Sequence, residues 1–515
     1  MKKIQINNAL ISVYNKDGIF ELSEFLRDKD INMIASDGTA EYLNQNGINV
    51  EKVSDFTEFP HLLGGRVKTL HPKIFSGILA DRDNPEHTKD MEENDIHSIE
   101  LVIVNLYPFT EKCGEMKEIT ELIELIDIGG VALLRAGAKN FRHCLVLSDP
   151  GDYNDFIAHY TENDGITPEY SARHAAKAFK YTSYYDCFIA GTLEKRNNCS
   201  DENIFSMPYI LESKLRYGEN PHQEAGLYRD RTYTGDSVFN YEQIQGKELS
   251  FNNILDIDMA IRINDYFREA NCVIIKHNNP CGFCVGRAEI NTFHKAWDSD
   301  PVSAFGSIIG FNYEVDKTLA EEIFKKFIEV IICRSISDEA LEILGKKKNL
   351  RVLVKRNKEL KMLESMDIRQ IKGGVLIQDE DTKLEMNEDL KQVTKAKMKK
   401  DRMNDIFYGL KLIRFFKSNS ILFIKDGQLL GAGFGQPNRV DCVRLGIEKA
   451  GEKIEDSIMV SDAFFPFRDS IDSVKDLKLA AVVQPGGSVK DEEVINACNE
   501  FEIPMYFTGI RHFRH

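Results

Sequence analysis

The alternation of short apolar runs with helical periodicity in the first fifty residues constrains the fold more than any other feature of the chain. Three apolar runs predict strands, and between the first two, residues Ile19 to Leu26 repeat apolar side chains at helix spacing. Alternating strands and helices build a parallel sheet, whose ligands bind where strands end and helices begin. The loops at 12–18 and 35–40 occupy those positions. The three runs are ALISV, INMIAS and INVEKVS.

The length of 515 residues exceeds what one hydrophobic core usually supports, so the chain is predicted to form more than one domain. The polar stretch EKRNNCSDEN is typical of a linker and predicts domains at 1–195 and 200–515. The second domain is long enough for two sub-cores. The segments CVIIKHNNPCG and LAAVVQPGGSV each resemble a buried strand that runs into a Pro/Gly turn, which suggests an internal duplication.

Charge and cysteine content narrow the classes of function. The net charge of −16 opposes binding to nucleic acid, although local clusters of Lys and Arg could still hold an anionic small molecule. The ten cysteines are scattered, which predicts free thiols in a reducing compartment. The start MKKIQINNAL lacks the apolar core of a secretory signal, and the aliphatic runs are too short to span a membrane. We therefore expect a cytoplasmic protein without a membrane partner.

The segment VIIKHNNPCGFC, at 273–284, is compatible with two chemistries. Its end fits the P-C-x-x-C half of a zinc deaminase signature, and HQE at 222–224 supplies the H-x-E half. The Pro and Gly residues around both halves argue against zinc, because the ligands of such a site begin packed helices. Alternatively, a buried strand delivers Lys276 and His277 to a turn, where an ammonium and an imidazole can transfer protons without a metal.

Two further segments in the first domain suggest anion binding. In LLGGRVKTLHPK, three cations and a histidine occupy a loop bounded by Gly and Pro, which suggests a phosphate or oxyanion site. In DIGGVALLRAGAKN, Asp127 and Gly129-Gly130 are predicted to begin a helix, with Lys139 further along it. The N-terminus of a helix favours an anion or a developing oxyanion.

Taken together, these and other motifs resemble the AICAR formyltransferase/IMP cyclohydrolase family over essentially the whole chain, in matching order and spacing. The first domain is similar to the cyclohydrolase half and the second to the formyltransferase half. The motifs of the first are ASDGTA, GGRVKTLHPKI, VNLYPF, IDIGG and RAGAKN. Those of the second are LRYGENPHQ, GKELSFNNILD, IKHNNPCG, DPVSAFGS, GAGFGQPNRVD, SDAFFPFRDSID, QPGGSV and TGIRHFRH.

The resemblance implies an α/β fold, in which a methylglyoxal-synthase-like parallel-sheet domain precedes a formyltransferase region of two cytidine-deaminase-like lobes. It implies that the second domain transfers a formyl group from the co-substrate 10-formyltetrahydrofolate to AICAR, without a catalytic metal. It further implies that the first domain closes formyl-AICAR to IMP with loss of water. Members are homodimers, with formyltransferase sites built across the subunit interface.

The resemblance also assigns residues. In formyl transfer, His277 takes the proton of the AICAR amine, while Lys276 stabilises the oxyanion and helps to protonate the departing folate nitrogen. The matching nucleotide contacts are Arg216, Tyr217, Asn253, Gly306, Glu329, Asn419, Arg439, Phe464, Arg511 and His515. For cyclisation the resemblance nominates Lys68, Tyr107, Asp127 and Lys139, with Arg66 assisting and with Lys16, Ser36 and Thr39 holding the phosphate.

The chain departs from the family pattern mainly in one pocket. In the two phosphate loops, Tyr14-Asn15 stands where the family usually has Ser-Asp, and Asp37 stands where it usually has Gly; in the second domain, Cys333-Arg334 stands where Ala-Pro is common. Asp37 adds a negative charge beside the expected phosphate. Two alternatives remain open at this point. They are a zinc-dependent nucleotide deaminase that uses His222, Cys281 and Cys284, and a non-catalytic nucleotide-binding regulator.

Overall fold

The computed structural model describes residues 2–60, 62–113, 116, 118–197, 199, 203–357, 365–399 and 401–515. They form two compact units, which are Met1–Ile210 with Tyr228–Tyr233, and Leu211–Leu227 with Thr234–His515. The predicted linker lies partly within a helix that continues to Asn197, and partly at 198 and 200–202, outside the described residues. The domain boundaries at 195 and 200 therefore stay a prediction.

The first unit contains the predicted parallel sheet. Five strands are parallel in the order β3-β2-β1-β4-β5. They are β1 (Asn8–Val13), β2 (Asn32–Ala35), β3 (Glu51–Lys52), β4 (Leu101–Asn105) and β5 (Leu145–Leu147). The helices are α1 (Ile19–Asp28), α2 (Asp37–Gln45), α3 (Val53–Thr57), α4 (Pro72–Leu79), α5 (Pro85–Glu93), α6 (Phe109–Lys112), α7 (Ile119–Ile123), α8 (Gly129–Lys139), α9 (Tyr153–Asn163) and α10 (Pro168–Asn197).

Both faces of this sheet are buried. Ile11 and Val13 of β1 belong to one hydrophobic core, and Leu10, whose side chain points to the opposite face, belongs to another. The strand order reverses between β1 and β4, because the chain continues from β1 toward β2 on one side and returns to β4 on the other. Such a switch point leaves a crevice at the carboxyl ends of the two strands, where ligands bind in open α/β sheets.

The hairpin of β6 (Tyr209–Leu215) and β7 (Ala225–Asp230) precedes a twelve-stranded mixed sheet in the second unit. Its order is β16-β21-β20-β19-β17-β18-β10-β9-β11-β12-β13-β8. The strands are β8 (Tyr241–Gln245), β9 (Ala270–Lys276), β10 (Asn279–Gly286), β11 (Ser307–Val315), β12 (Ile328–Ile336), β13 (Arg351–Lys355), β16 (Lys391–Gln392), β17 (Ser420–Lys425), β18 (Gln428–Phe434), β19 (Ile458–Ser461), β20 (Ala481–Gln484) and β21 (Met505–Phe507). A separate hairpin consists of β14 (Met366–Ile371) and β15 (Gly374–Asp379).

Helices cover this large sheet, and two of them, α11 and α16, contribute to the same core. The helices are α11 (Phe251–Tyr266), α12 (Ile290–Trp297), α13 (Pro301–Ala304), α14 (Lys317–Phe324), α15 (Asp338–Leu344), α16 (Met403–Ile413), α17 (Arg439–Ala450), α18 (Asp469–Asp472) and α19 (Asp491–Glu500). Across the described residues, no helix combines the length and the apolar character needed to cross a membrane.

The large sheet consists of two lobes with the same topology. In the first lobe, the β9–β10 hairpin is followed by β11, antiparallel to β9, and then by parallel β12 and β13. In the second lobe, β17–β18, β19, β20 and β21 repeat these pairings in the same order. The duplication suggested by the sequence exists, but the pair of segments was wrong. CVIIKHNNPCG forms the hairpin of the first lobe, whereas LAAVVQPGGSV contains β20, the counterpart of β12.

Candidate active sites

The first candidate site lies at the carboxyl ends of β1 and β4. The side chain of Asn105, at the end of β4, forms hydrogen bonds with the loop that follows β1. The side-chain oxygen of Asn105 accepts hydrogen bonds from the backbone N–H groups of Tyr14 (2.6 Å) and Asn15 (2.8 Å). Its amide nitrogen donates to the carbonyl oxygen of Asn15 (2.9 Å). The loop that follows β1 is therefore fixed to the end of β4. The sequence analysis did not select Asn105, although a polar residue that ends a fully apolar strand was a usable signal.

Lys16, Ser36 and Thr39 meet beside this loop, as the resemblance required. The Lys16 ammonium donates to Thr39 Oγ1 (3.1 Å) and to the carbonyl oxygen of Val13, and the hydroxyls of Ser36 and Thr39 lie 3.3 Å apart. Burial lowers the pKa of Lys16 below its ordinary value. Ser36 precedes α2, so a cation, two hydroxyls and a helix N-terminus converge in a setting suited to a phosphate.

Asp127 lies at the start of α8, and its carboxylate accepts a hydrogen bond from the backbone N–H of Gly130 (2.7 Å). A Cβ atom at Gly130 would lie 2.7 Å from this carboxylate, so glycine permits the close approach. Burial raises the pKa of Asp127, against the opposing effects of the Gly130 and Tyr107 N–H groups and of the Lys68 ammonium. Asp127, Lys68 and Tyr107 therefore share one environment.

Lys68 is the cation of the basic loop that faces Asp127. Gly65 (φ +93°) lets the Lys68 side chain fold over the backbone, since a Cβ atom there would lie 2.5 Å from Lys68 Cε. The other basic side chains of the loop have different partners. Arg66 pairs with the exposed Glu124, the ammonium of Lys73 lies 5.3 Å from the ring centre of Phe56, and His71 caps the N-terminus of α4.

The structure does not bring Lys139 to this group. Asp127 precedes α8 and Lys139 is the last residue of that helix, where its side chain is exposed. The eleven residues of α8 alone span about 16 Å. The motif DIGGVALLRAGAKN thus places Asp127 and Lys139 at opposite ends of one helix.

One departure from the family pattern, Tyr14, forms an aromatic pair with Tyr107 beside this site. The rings of Tyr14 and Tyr107 pack edge to face, with their centres 5.8 Å apart. Lys112 donates to the hydroxyl of Tyr14 (3.2 Å). Burial, and to a lesser extent the charge of Asp127, raise the pKa of Tyr107. Asp37 is the first residue of α2, where its carboxylate interacts favourably with the positive end of the helix dipole.

The second candidate site surrounds the turn between β9 and β10. The buried strand ends at Lys276, which pairs with Asn279, and His277 and Asn278 form a two-residue turn between them. Both turn residues are left-handed, with φ angles of 52° and 59°. This is the type I′ geometry that matches the twist of a hairpin, and it projects the exposed His277 from the end of a rigid sheet.

Lys276 and three predicted nucleotide contacts lie around this turn. The Lys276 ammonium donates to the carbonyl oxygens of Phe305 (2.6 Å) and Gly306 (3.3 Å). The side-chain amide of Asn253 lies 3.4 Å from the carboxylate of Glu329. Asn253 also completes a capping box with Ser250 at the start of α11.

In the second lobe, Arg439 connects the predicted contacts with each other. Its guanidinium donates to Asn419 Oδ1 (2.7 Å), to the Phe464 carbonyl oxygen (2.9 Å) and to Asp462 Oδ1 (2.9 Å). Arg439 and Asp462 are buried, so this ion pair also stabilises the lobe. Asp462 was missed in the sequence, where only Phe464 was selected from the motif SDAFFPFRDSID.

The remaining predicted contacts have partners within the second unit. The Arg216 guanidinium lies 5.3 Å from the ring centre of Tyr217, and that of Arg511 lies 4.5 Å from the ring centre of Phe513. The carbonyl oxygen of His515 accepts a hydrogen bond from Arg369 (2.6 Å). Their nucleotide-binding roles stay predictions.

Comparison with known proteins decides the family. The sequence profile described as AICARFT/IMPCHase bienzyme matches residues 137–449, and that of the MGS-like domain matches residues 18–132. The bifunctional purine biosynthesis protein PurH of Clostridium perfringens is 44% identical over 98% of this chain and 99% of its own length. The proteins of that name from Caldicellulosiruptor saccharolyticus and Persephonella marina are each 43% identical, with the same coverage.

The chain belongs to the AICARFT/IMPCHase bienzyme family. It is thus a bifunctional purine biosynthesis enzyme of the class that joins AICAR formyltransferase to IMP cyclohydrolase, as the resemblance implied. The predicted order of an MGS-like domain followed by the formyltransferase region is confirmed.

Within this bienzyme, the segment that suggested zinc has another structure. Residues Pro280–Cys284 lie inside strand β10 and do not begin a helix, and Cys284 is buried in a hydrophobic core. Burial raises the pKa of the Cys281 and Cys284 thiols to about 12. Across the described residues, the side chains grouped closely enough to share an ion are Asp81, Asp83 and His143, and none of the three proposed zinc ligands is among them.

Proposed function

We propose that this chain performs both reactions of its family, with formyl transfer in the second unit and cyclisation in the first. The observation that carries the proposal is the β9–β10 turn, which presents His277 beside Lys276 and within one lobe with Asn253, Gly306 and Glu329. These residues are distant in sequence, and the resemblance assigned all five to one reaction.

Formyl transfer needs a base because the AICAR amine is a weak nucleophile, its lone pair being delocalised into the imidazole ring and the carboxamide. In the proposal, His277 removes the amine proton as the nitrogen attacks the formyl carbon of 10-formyltetrahydrofolate. Lys276, whose ammonium donates hydrogen bonds to two carbonyl oxygens in this structure, stabilises the oxyanion and helps to protonate the departing folate nitrogen. General acid–base assistance of this kind contributes about 100- to 10,000-fold.

Cyclisation joins a carboxamide nitrogen to a formyl carbon that is already attached nearby, so proximity supplies much of the acceleration. In the proposal, Lys16, Ser36 and Thr39 hold the phosphate. Lys68, Asp127 and Tyr107 move protons and stabilise the oxyanion. Arg66 and Lys139 were assigned to this reaction by resemblance, and a role for them requires side-chain movement or another chain.

We propose that the active form is a cytoplasmic homodimer that acts on small molecules and not on nucleic acid. The β14–β15 hairpin supports a dimer. Both faces expose apolar side chains: Met366, Val375 and Ile377 are 48%, 48% and 39% exposed on one face, and Ile371 and Leu376 are 47% and 57% exposed on the other. A two-stranded hairpin is marginally stable alone in water, and an apolar face of this kind favours a partner surface.

The test uses His277→Ala in the full chain, with tetrahydrofolate formation and IMP formation measured separately. We expect formyl transfer to fall at least about 100-fold, because a general base is lost, while cyclisation of supplied formyl-AICAR continues at the parental rate. His222→Ala is the matched control, since it removes an exposed histidine that only the zinc alternative requires, and it should retain both activities. Equal loss of both activities in His277→Ala would contradict the assignment of two sites.

A further inference from the structure

The two lobes carry equivalent hairpin turns with different chemistry. In the first lobe, His277 and Asn278 connect the paired residues Lys276 and Asn279. In the second, Asp426 (φ 50°) and Gly427 (φ 72°) connect the paired residues Lys425 and Gln428. Each turn therefore has two left-handed residues after a lysine, but only the first of these two turns presents an imidazole.

Each turn is held by an aspartate on the helix that precedes it in the chain. In the second lobe, the Asp405 carboxylate of α16 accepts the N–H groups of Asp426 (3.0 Å) and Gly427 (2.8 Å). In the first lobe, the Asp256 carboxylate of α11 accepts the N–H of Asn278, and the backbone N–H of His277 also stabilises it. The same hydrogen-bonding arrangement, a helix aspartate that accepts the turn N–H groups, therefore occurs in both lobes.

The charged surroundings of the two aspartates differ. Arg402 forms ion pairs with Asp405 and Asp426, so the second turn belongs to a structural salt-bridge network. Among the described residues, Asp256 forms no comparable ion pair with Lys or Arg, and the carboxylate of Glu329 acts on it as a like charge. Burial raises the pKa of Asp256, while the two turn N–H groups lower it, so these hydrogen bonds favour the ionised carboxylate.

We propose that Asp256 is a positioning residue for formyl transfer, whose carboxylate holds the backbone of His277 and Asn278 in the left-handed turn that presents the imidazole. The inference rests on the proposed role of His277. Left-handed backbone is unfavourable for residues other than glycine, and the second lobe has glycine where the first has Asn278. The first turn therefore depends more strongly on its aspartate, and a displaced base loses rate steeply.

Matched substitutions in the two lobes test this positioning role. Asp256→Asn and Asp405→Asn each keep the side-chain shape, but place an amide NH₂ group opposite one of the turn N–H groups. We expect Asp256→Asn to lower the kcat of formyl transfer by about ten- to 100-fold, with the KM for AICAR within about twofold and cyclisation unchanged. Asp405→Asn should keep the kcat of formyl transfer within about twofold, even if it lowers the Tm as much as Asp256→Asn does.

A second change separates positioning from stability. Asn278→Gly lowers the cost of the left-handed turn, so it should raise the kcat of Asp256→Asn by about threefold or more. An unchanged kcat in Asp256→Asn, an equal loss in Asp405→Asn, or no recovery in the double variant would each overturn the inference. If the parent enzyme transfers no formyl group, or if His277→Ala retains the parental rate, the proposed function itself fails.

Discussion

At the scale of single residues, Asp127 shows how a group proposed for catalysis can lower the stability of the fold. Its carboxylate is mostly removed from water at the start of α8, and burial is the largest influence on its pKa, which is raised. A raised pKa means that folding disfavours the charged form. The Gly130 N–H and the Lys68 ammonium offset part of this cost. The ionised residue that cyclisation is proposed to use therefore destabilises the first unit at neutral pH.

Asp127→Asn should abolish cyclisation and raise the Tm of the first unit at pH 7 by about 2 °C. Because the folded pKa is the higher one, the stability associated with this group is fully present below the unfolded pKa of about 3.9 and is lost as pH rises through the folded value. The difference in Tm should therefore disappear near pH 4. Calorimetry across this range measures it, and the exposed Asp90→Asn of α5 is the control. A lower Tm at pH 7 would contradict the desolvation argument.

At the scale of elements, the sequence predicted strands well where burial was continuous, and poorly where glycine had a packing role. The parallel order around β1 and the strand that ends at Lys276 are confirmed. Strand β10 was not predicted, because Pro280 and Gly282 resemble a loop. Gly282 belongs there because a Cβ atom would lie 2.2 Å from the carbonyl oxygen of Ala296, so α12 can pack directly on the strand.

Contacts between distant elements could not be predicted from the sequence. Asp256 and the turn that it holds are about twenty residues apart in the sequence. No local pattern marks the Asp256 carboxylate as the hydrogen-bond acceptor for the backbone of His277 and Asn278. Lys139 lies at the far end of α8 from Asp127, so its role in cyclisation, which the resemblance implied, stays a prediction. Three-dimensional assembly, and not local propensity, determines both outcomes.

The β14–β15 hairpin should be required for assembly. Val375→Lys introduces a charge on the face that carries Met366 and Ile377, and we expect sedimentation to show a shift from dimer to monomer with loss of formyl transfer. Gln378→Lys introduces the same charge on the opposite face of the same strand and should leave the dimer intact. A dimeric, active Val375→Lys variant would exclude this face from the interface.

At the scale of the whole molecule, the two units are predicted to fold and act separately. A fragment of residues 1–193 should cyclise formyl-AICAR, and a fragment of residues 200–515 should transfer formyl groups. Fragment 1–233 retains the hydrogen bond from Lys195 to the Thr232 carbonyl oxygen (3.1 Å), so its Tm should exceed that of fragment 1–193. Circular dichroism and the two assays measure these outcomes, and inert, insoluble fragments from an active parent would contradict the predicted boundary.

The join between the lobes has a consequence for solubility. Strands β10 and β18 meet through one registered pair, Cys284 with Gln428, and each is the outermost strand of its own lobe on that side. An open sheet edge is a template for aggregation, because its unpaired backbone groups can bind any other strand. Because one chain contains both lobes, each copy of the edge strand β10 is matched by one copy of β18, and the two strands cover each other. In the folded chain, the second lobe, which lacks the histidine turn, thereby covers the edge strand of the first.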